Sequence, residues 1–377
     1  MQAITVDRYV GALAFSPDGQ FLAIDTGGGT VIWSLSARRI VAHLAIGLPG
    51  LGGTQLVQFS PDSQYLSVCG FAGEGRSDYS IFIYQTKTWK VAHEIADQTV
   101  GGLKTGTPCS DVMFTADGKY LVRVDGPLQQ FAILLYDTSS WKAVRALRTA
   151  PLKNDLAPTD PALRIVLDTH ANRDSFGFYQ GQPSLSRNDR YLALPGTAME
   201  SPPPEERAHL DPVQIVQRTR GVAEVWILEM PAGNLIQSID TEAYSLSWRP
   251  DGQRLAVGGG GKIELIDPHS GAIAVIQNSQ LHPTGFGSAQ GTEYGRELVA
   301  YSPDGSYLVE AIDRQVEVWD GDHAKRLQTI HALPSCLAIS PDRRFVALGG
   351  EEVSMFDSVP LLDLAVHPHG SPGKVLL

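Results

Sequence analysis

The chain has 377 residues, of which 43% are hydrophobic, and its 30 basic and 41 acidic side chains give a formal charge of −11 at pH 7. This composition predicts a folded core rather than a disordered chain. The net negative charge disfavours nucleic-acid phosphates and anionic membranes as partners, and no apolar run reaches the roughly 18 residues of a membrane-spanning helix. Residues 1–6 lack the features of a signal peptide, so we expect a cytoplasmic protein, or a periplasmic one if a signal was removed before residue 1.

A four-residue turn recurs along the chain. Complete copies are Ser16-Pro17-Asp18-Gly19 and Ser302-Pro303-Asp304-Gly305, and altered copies begin at Ser60, Thr115, Ser186, Arg249 and Ser340. Proline presets φ for the second position of a type I turn, aspartate can close the turn through its side chain, and glycine takes the left-handed conformation that follows. Each copy therefore predicts a tight hairpin between two antiparallel strands.

Four strands are predicted around each of these turns. In the second unit they end at Phe59, include Leu66–Val68 and Phe82–Tyr84, and finish with Val91–Ile95. Seven such units follow one another, and a single unit cannot bury both of its faces, so neighbouring units must stack. Radial stacking predicts one domain over residues 1–377, an all-β, seven-bladed β-propeller of four-stranded antiparallel blades. We expect the large residue that recurs in each third strand to pack between blades, namely Trp33, Tyr84, Tyr136, Trp226, Trp319 and Phe356.

The three cysteines give no sign of a disulfide framework or a zinc site, because Cys69, Cys109 and Cys336 are few and widely separated. We expect them to be buried thiols, as in a reducing compartment.

These features resemble the WD-repeat propellers and their bacterial relatives. The resemblance lies in the pattern Phe-Ser-Pro-Asp-Gly, Leu-Ala, Val-x-Val-Trp-Asp, which is strongest in units one, six and seven and weakest in unit four. The chain lacks the family's Gly-His dipeptide, so it resembles a divergent member without the usual Trp-Ser-His-Asp hydrogen-bond network. The resemblance implies a propeller that binds partners, and it implies no reaction.

The ends of the chain offer two ways to close the ring. Val6 lies ten residues before Ser16, as Ile330 lies ten before Ser340, which predicts that residues 3–6 form the outermost strand of the last blade. Alternatively, within residues 358–377, which otherwise form a C-terminal tail, Leu362–Val366 fills that place after a third strand at Met355–Asp357.

Insertions fall in only two kinds of connection, those between second and third strands and those between a fourth strand and the next unit. In an up-and-down sheet both kinds open at the same end of the ring, which we call the loop-rich rim; the opposite end is the trimmed rim. Because long loops on a rigid scaffold commonly carry function, we expect binding at the loop-rich rim. The candidate binding residues are Glu74, Arg76, Asp78, Arg164, Asp168, His170, Arg173, Glu205, Arg207, His209, His282, Glu293, Tyr294 and Arg296.

The function predicted from the sequence is a non-catalytic scaffold that binds a protein or peptide at this rim. The alternative is a propeller enzyme or small-ligand binder, of the lactonase or sugar-acting type, with an axial pocket on the same rim. Asp168 and His170 could ligate a metal, but a solvated loop with internal ion pairs explains them better, and we predict neither metal nor cofactor. Gly258–Lys262 resembles a phosphate-binding loop, but Ile263 replaces the required hydroxyl residue and no helix is predicted to follow. We predict no catalytic residue and a monomer.

Overall fold

In a computed structural model of the chain, the described residues are 3–6, 10–26, 29–44, 56–71, 79–96, 99–100, 103–104, 109–125, 131–149, 182–200, 202–211, 214–215, 218, 220–278, 297–312, 315–332, 334–350, 357–363 and 375–376. Among them, strands pair antiparallel in six four-stranded sheets, one larger sheet and a small hairpin. The fold is thus an all-β propeller whose blades are four-stranded antiparallel sheets.

The six blades follow one another along the chain, and the strands of each pair in sequence order. Blade one is β2 (Ala12–Phe15), β3 (Phe21–Asp25), β4 (Thr30–Ser34) and β5 (Arg39–Leu44). Blade two is β6 (Leu56–Phe59), β7 (Tyr65–Phe71), β8 (Tyr79–Gln85) and β9 (Lys90–Ile95), followed by the hairpin of β10 (Thr99–Val100) and β11 (Leu103–Lys104). Blade three is β12 (Cys109–Phe114), β13 (Tyr120–Asp125), β14 (Phe131–Asp137) and β15 (Lys142–Thr149).

The second half of the chain continues this order. Blade four is β16 (Ser184–Leu185), β17 (Tyr191–Glu200), β18 (Arg220–Glu229) and β19 (Asn234–Asp240), with the helix α1 (Pro204–Arg207) between β17 and β18. Blade five is β20 (Ser245–Trp248), β21 (Leu255–Gly259), β22 (Lys262–Ile266) and β23 (Ile273–Asn278). Blade six is β24 (Leu298–Tyr301), β25 (Tyr307–Ile312), β26 (Gln315–Asp320) and β27 (Arg326–His331).

Both ends of the chain contribute to the remaining sheet, which we call the closing sheet. It contains β28 (Pro334–Ile339), β29 (Phe345–Gly350), β30 (Asp357–Asp363), β1 (Ala3–Val6) and β31 (Val375–Leu376). Strand β1 pairs with the first half of β30, with Ile4 opposite Val359, and β31 pairs with the second half. The closing sheet packs on blade one through a cluster that includes Ile4 and Trp33, and on blade six through one that includes Val346 and Val318.

The expectation of seven four-stranded blades is wrong, because the structure has six such blades. Each copy of the turn marks a first-to-second-strand hairpin, and the seventh copy builds one between β28 and β29, in a five-stranded sheet that also takes β1 from the other end of the chain. The expected third strand at Met355–Asp357 is also misplaced. Asp363 pairs with Phe345 as Asp320 pairs with Tyr307, so β30 lies six residues further along the chain; residues 355–356 are outside the described part.

The hydrophobic core lies between the sheets. Tyr136 packs with Cys69 and Ile83 of the preceding blade, and Trp226 packs with Val122 and Leu135 of blade three. The prediction that the recurring large residues pack between blades is therefore confirmed for these positions, while Phe356 lies outside the described residues. Because these interfaces are fully buried, the stability of each blade depends on its contacts with the neighbouring blades.

A serine or threonine organises the first-to-second-strand turns. Ser16 Oγ donates a hydrogen bond to Asp18 Oδ1 at 2.6 Å, and the backbone N–H groups of Gln20 and Phe21 donate to Asp18 Oδ1 and Ser16 Oγ. The same three hydrogen bonds recur in the turns that begin at Ser60, Thr115, Ser186, Ser302 and Ser340. In the turn of blade four, Asn188 takes the place of the aspartate as acceptor. These buried hydroxyls explain why six of the seven copies begin with Ser or Thr, the copy at Arg249 being the exception.

Three of these turns have another residue in the left-handed position of glycine. Ser63, Asp189 and Arg343 have φ values of 59°, 56° and 64°, a conformation that costs roughly 1–2 kcal/mol for a residue with a Cβ. Each side chain contacts the turn of the preceding blade. The partners are, in order, the N–H of Asp18, the N–H groups of Ala116 and Asp117, and the carboxylate of Asp304. These contacts offset the strain and join neighbouring turns along the trimmed rim.

Candidate functional site

The middle hairpin of blade four projects from the loop-rich rim. Its strands β17 and β18 form ten residue pairs, from Tyr191–Glu229 to Glu200–Arg220. The corresponding strands of blade five form five pairs. At about 3.3 Å per residue, the hairpin reaches roughly 17 Å further than its neighbour. We call residues 196–223 the arm.

The tip of the arm is held by contacts of its own. Proline at the start of α1 suits the first helical position, where its missing N–H costs nothing. After the helix, Asp211 and Gln214 form a reciprocal capping box, in which the N–H of Gln214 donates to Asp211 Oδ1 at 2.8 Å and the N–H of Asp211 donates to Gln214 Oε1 at 3.1 Å. An ion pair joins Arg218 to Glu206 across the tip. These contacts give the tip of the arm a defined structure of its own.

The structure places three of the candidate binding residues on the arm. Glu205 and His209 are exposed, and Arg207 is the last residue of α1. The other candidates lie outside the described residues, so their convergence stays a prediction; they are Glu74, Arg76, Asp78, Arg164, Asp168, His170, Arg173, His282, Glu293, Tyr294 and Arg296. The described part of the chain contains no group of three or more His, Cys, Asp or Glu side chains placed to hold a metal ion.

The glycine run of blade five has a packing role. A Cβ on Gly258 would lie 2.6 Å from the carbonyl oxygen of Glu297, and one on Gly259 would lie 2.5 Å from that of Glu242. Both distances are far below normal contact, so these positions admit the backbones of two neighbouring connections. The interpretation that this run is not a phosphate-binding loop agrees with its position between β21 and β22.

A charged group lies beside this run on the loop-rich rim. Lys262 Nζ lies 2.7 Å from Glu264 Oε1, and Thr241 Oγ1 donates to Glu264 Oε2 at 2.5 Å. Burial raises the pKa of the Glu242 carboxyl above its ordinary value, and the nearby Lys262 opposes that change. Lys262 compensates the buried charge of Glu264, and the hydrogen bond from Thr241 ties the connection after blade four to the sheet of blade five.

Buried glutamates at one position of the third strand were missed in the sequence. Glu224, Glu264 and Glu317 each lie two residues before the large residue that ends the strand pattern, and all three are buried. Glu224 accepts hydrogen bonds from Trp226 Nε1 at 2.6 Å and Ser238 Oγ at 2.5 Å. The signal was visible in the sequence as Glu-Val-Trp, Glu-Leu-Ile and Glu-Val-Trp in units four to six.

Blade six contains a buried acid–base contact. His323 Nε2 lies 2.8 Å from Glu310 Oε1, and the His323 ring stacks on Trp319 with 3.9 Å between the ring centroids. Burial raises the pKa of Glu310, and His323 works against this rise. Both residues belong to blade six, so the contact stabilises that blade and does not form part of a binding surface at the loop-rich rim.

Asp111 lies in the innermost strand of blade three, near the loop-rich rim. It stands three residues before Phe114, as Ser245 stands three before Trp248. Ser245 Oγ accepts a hydrogen bond from the N–H of Val299 in the next blade at 3.1 Å. The residue equivalent to Val299 in blade four is Pro183, which has no N–H to donate. Asp111 accepts from Val112 at 2.7 Å, and burial raises its pKa to about 7.

Replacing Asp111 by asparagine is expected to stabilise the protein at pH 8 by about 2 kcal/mol, about half of the free energy that corresponds to a pKa raised from 3.8 to about 7. The pKa of Asp111 is raised in the folded state, so its stabilising effect is complete below its ordinary pKa of 3.8 and is lost as the pH rises through about 7. The side-chain oxygen of asparagine can still accept the hydrogen bond from the N–H of Val112. Urea unfolding should show the gain at pH 8 and a much smaller one at pH 5; an equal gain at both would contradict the titration.

None of the helices in the described residues is long and apolar enough to cross a membrane. No protein-family model matches the chain, and no curated protein matches its sequence.

Solved structures resemble the whole chain at low sequence identity. A chain of hydrazine synthase from Kuenenia stuttgartiensis has a TM-score of 0.64 at 16% identity, with 97% of this chain and 98% of that chain covered. The β-propeller domain of Cps50 (Swd1) from Myceliophteria thermophila gives 0.59 at 15%, with 95% and 98% covered. A chain of the Mitotic Checkpoint Complex gives 0.59 at 13%, with 95% and 93% covered. At these identities the likeness supports the β-propeller fold alone.

Proposed function

We propose that this protein is a non-catalytic, divergent WD-repeat-like propeller that binds a protein or peptide partner at its loop-rich rim, with the arm as the main contact. The observation that carries the proposal is the hairpin of β17 and β18, which has ten pairs against five in blade five and carries α1 in the connection at its end. A rigid ring that presents an ordered, exposed arm is suited to recognition, because little entropy is lost when a preformed surface binds. Two of the similar solved structures, the Cps50 propeller and the Mitotic Checkpoint Complex chain, are consistent with such a role.

The trimmed rim supports the same choice of surface. Its turns follow one hydrogen-bonded pattern, and Ser63, Asp189 and Arg343 use their side chains on neighbouring turns. These three side chains therefore form contacts within the fold rather than with a partner. Exposed side chains on the arm, such as Glu205 and His209, make no comparable contact with a neighbouring blade among the described hydrogen bonds.

Site-specific photo-crosslinking tests this proposal. A photo-crosslinking amino acid replaces His209 on the arm, and in a matched protein it replaces His269, which is also exposed but lies in the third-to-fourth-strand turn of blade five on the trimmed rim. In cells that make the protein, we expect one defined crosslinked product from position 209 and none from position 269. Equal products from both positions, or a product from position 269 alone, would contradict the assignment of the surface.

The alternative of an enzyme or small-ligand binder has Asp111 in its favour. A carboxyl on an innermost strand with a pKa of about 7 can exchange protons at neutral pH, as general acid–base catalysis requires. This alternative predicts that ligand binding or turnover depends on pH near 7 and disappears in Asp111→Asn, whereas binding through the arm is unchanged in that variant.

A further inference from the structure

Cys69 is disulfide-bonded, so the expectation of three buried thiols is wrong. The residue lies near the end of β7, is 5% exposed, and packs in a cluster with Val112 and Phe114 of blade three. It therefore faces the next blade. Cys336 retains its thiol, with Sγ 3.7 Å from the carbonyl oxygen of Val10. The chain has three cysteines, so the sequence leaves Cys109, the first residue of β12 in blade three, as the partner.

The repeat itself provides an independent argument for this pairing. Cys69 follows Leu66-Ser67-Val68 as Gly349 follows Val346-Ala347-Leu348, and Cys109 stands five residues before Phe114 as Val10 stands five before Phe15. A Cβ built on Gly349 would lie 2.6 Å from Cγ1 of Val10. These two positions are thus in direct contact where the closing sheet meets blade one. The same geometry between blades two and three brings residues 69 and 109 within the reach of a disulfide.

We propose that a disulfide between Cys69 and Cys109 is a redox-sensitive crosslink of the loop-rich rim. It joins the rim end of the second strand of blade two to the rim end of the first strand of blade three. Deeper in the same interface, Gln58 Oε1 accepts a hydrogen bond from the N–H of Phe114 at 2.6 Å, and this contact does not depend on redox state. Reduction therefore loosens the rim end of the interface and leaves its lower part packed.

The chemistry is thiol–disulfide exchange with a dithiol or with two monothiols of the glutathione class. A reductant thiolate attacks one sulfur of the pair, and a second thiol resolves the mixed disulfide. Two electrons and two protons pass to the protein, which gains two thiols, and the reductant becomes a disulfide. Cys69 is buried, so the attack requires a local opening and we expect slow reduction. The bond suits an oxidising compartment, where structural disulfides persist. The inference does not depend on the proposed function.

Two measurements on the full chain test the inference. First, the protein is equilibrated with oxidised glutathione, alkylated without reduction and mapped by mass spectrometry; we expect a peptide pair linked through Cys69 and Cys109 and an alkylated Cys336. Second, hydrogen exchange is compared with and without dithiothreitol. We expect reduction to speed exchange at the end of β7 and the start of β12 by about tenfold, with little change in β20 and β24, which meet in another interface.

Variants separate the crosslink from a general effect of the reductant. Cys69→Ala should exchange quickly at the blade two–blade three rim with or without dithiothreitol, whereas Cys336→Ala should respond to dithiothreitol as the wild type does. Alkylation of all three cysteines without reduction would overturn the proposal, and so would equal acceleration by dithiothreitol in Cys69→Ala. The peptide mapping uses the wild type, so it remains decisive if a variant folds poorly.

Discussion

Replacing Ile4 by alanine is expected to lower the free energy of unfolding by about 2–4 kcal/mol, the usual cost of truncating a buried isoleucine. Ile4 is 1% exposed and lies in a cluster with Leu22, Ile24 and Trp33 of blade one. It also belongs to β1, whose four pairs with β30 join the two ends of the chain. The effect should be visible in urea unfolding as a lower midpoint.

The matched control is Val144→Ala in the outermost strand of blade three. Val144 is also a branched aliphatic residue in a strand, but it is 56% exposed, so its truncation should change stability by no more than about 0.5 kcal/mol. If both variants unfold at the same urea concentration, Ile4 does not occupy the buried position between the closing sheet and blade one.

Gly259→Ala is expected to destabilise the protein by about 2–3 kcal/mol, in the range of overpacking in a tight site. The new methyl group would lie 2.5 Å from the carbonyl oxygen of Glu242. That atom belongs to a backbone that connects two blades, so it cannot rotate away as a side chain would. Thermal unfolding of the purified variant measures the loss.

Gly19→Ala separates crowding from backbone strain. Gly19 has φ +70° with no atom within 4 Å of the added Cβ, so the cost there is the left-handed conformation alone, about 1 kcal/mol. Gly259 is not among the described glycines with a left-handed φ, so crowding alone acts on it. A Gly259→Ala variant as stable as Gly19→Ala would mean that the connection after blade four can move aside.

Local chemistry in the sequence predicted much of this fold. The recurring tetrad identified hairpins correctly, because the requirements of a turn are met within a few residues. The number of blades was wrong because a turn reports on two strands and not on the sheet around them. In the last unit, the third strand lies at Asp357–Asp363 and another strand comes from the far end of the chain. Such pairing depends on the closed ring, which no short stretch encodes.

The position of the arm could be predicted from the sequence, while binding at it stays a prediction. The long connection within blade four pointed to the loop-rich rim, and Pro204 followed by Glu205 and Glu206 is typical of a helix start. The three consecutive prolines at 202–204 are instead typical of an extended conformation. The bond at Cys69 was missed because Cys109, the partner that we propose, lies forty residues away in sequence. Comparing the repeats aligns Cys69 with Gly349 and Cys109 with Val10, but only the structure shows that these last two positions are in contact.

The pairing of β1 with β30 has a consequence for how this protein is made. Residues 3–6 are translated long before their partners at Asp357–Pro360. At roughly 5–20 residues per second, the nascent chain waits on the order of half a minute or longer with Ile4 and Val6 unable to reach their final neighbours. The blades between can assemble on one another meanwhile, but the circle is locked only after β30 has been made.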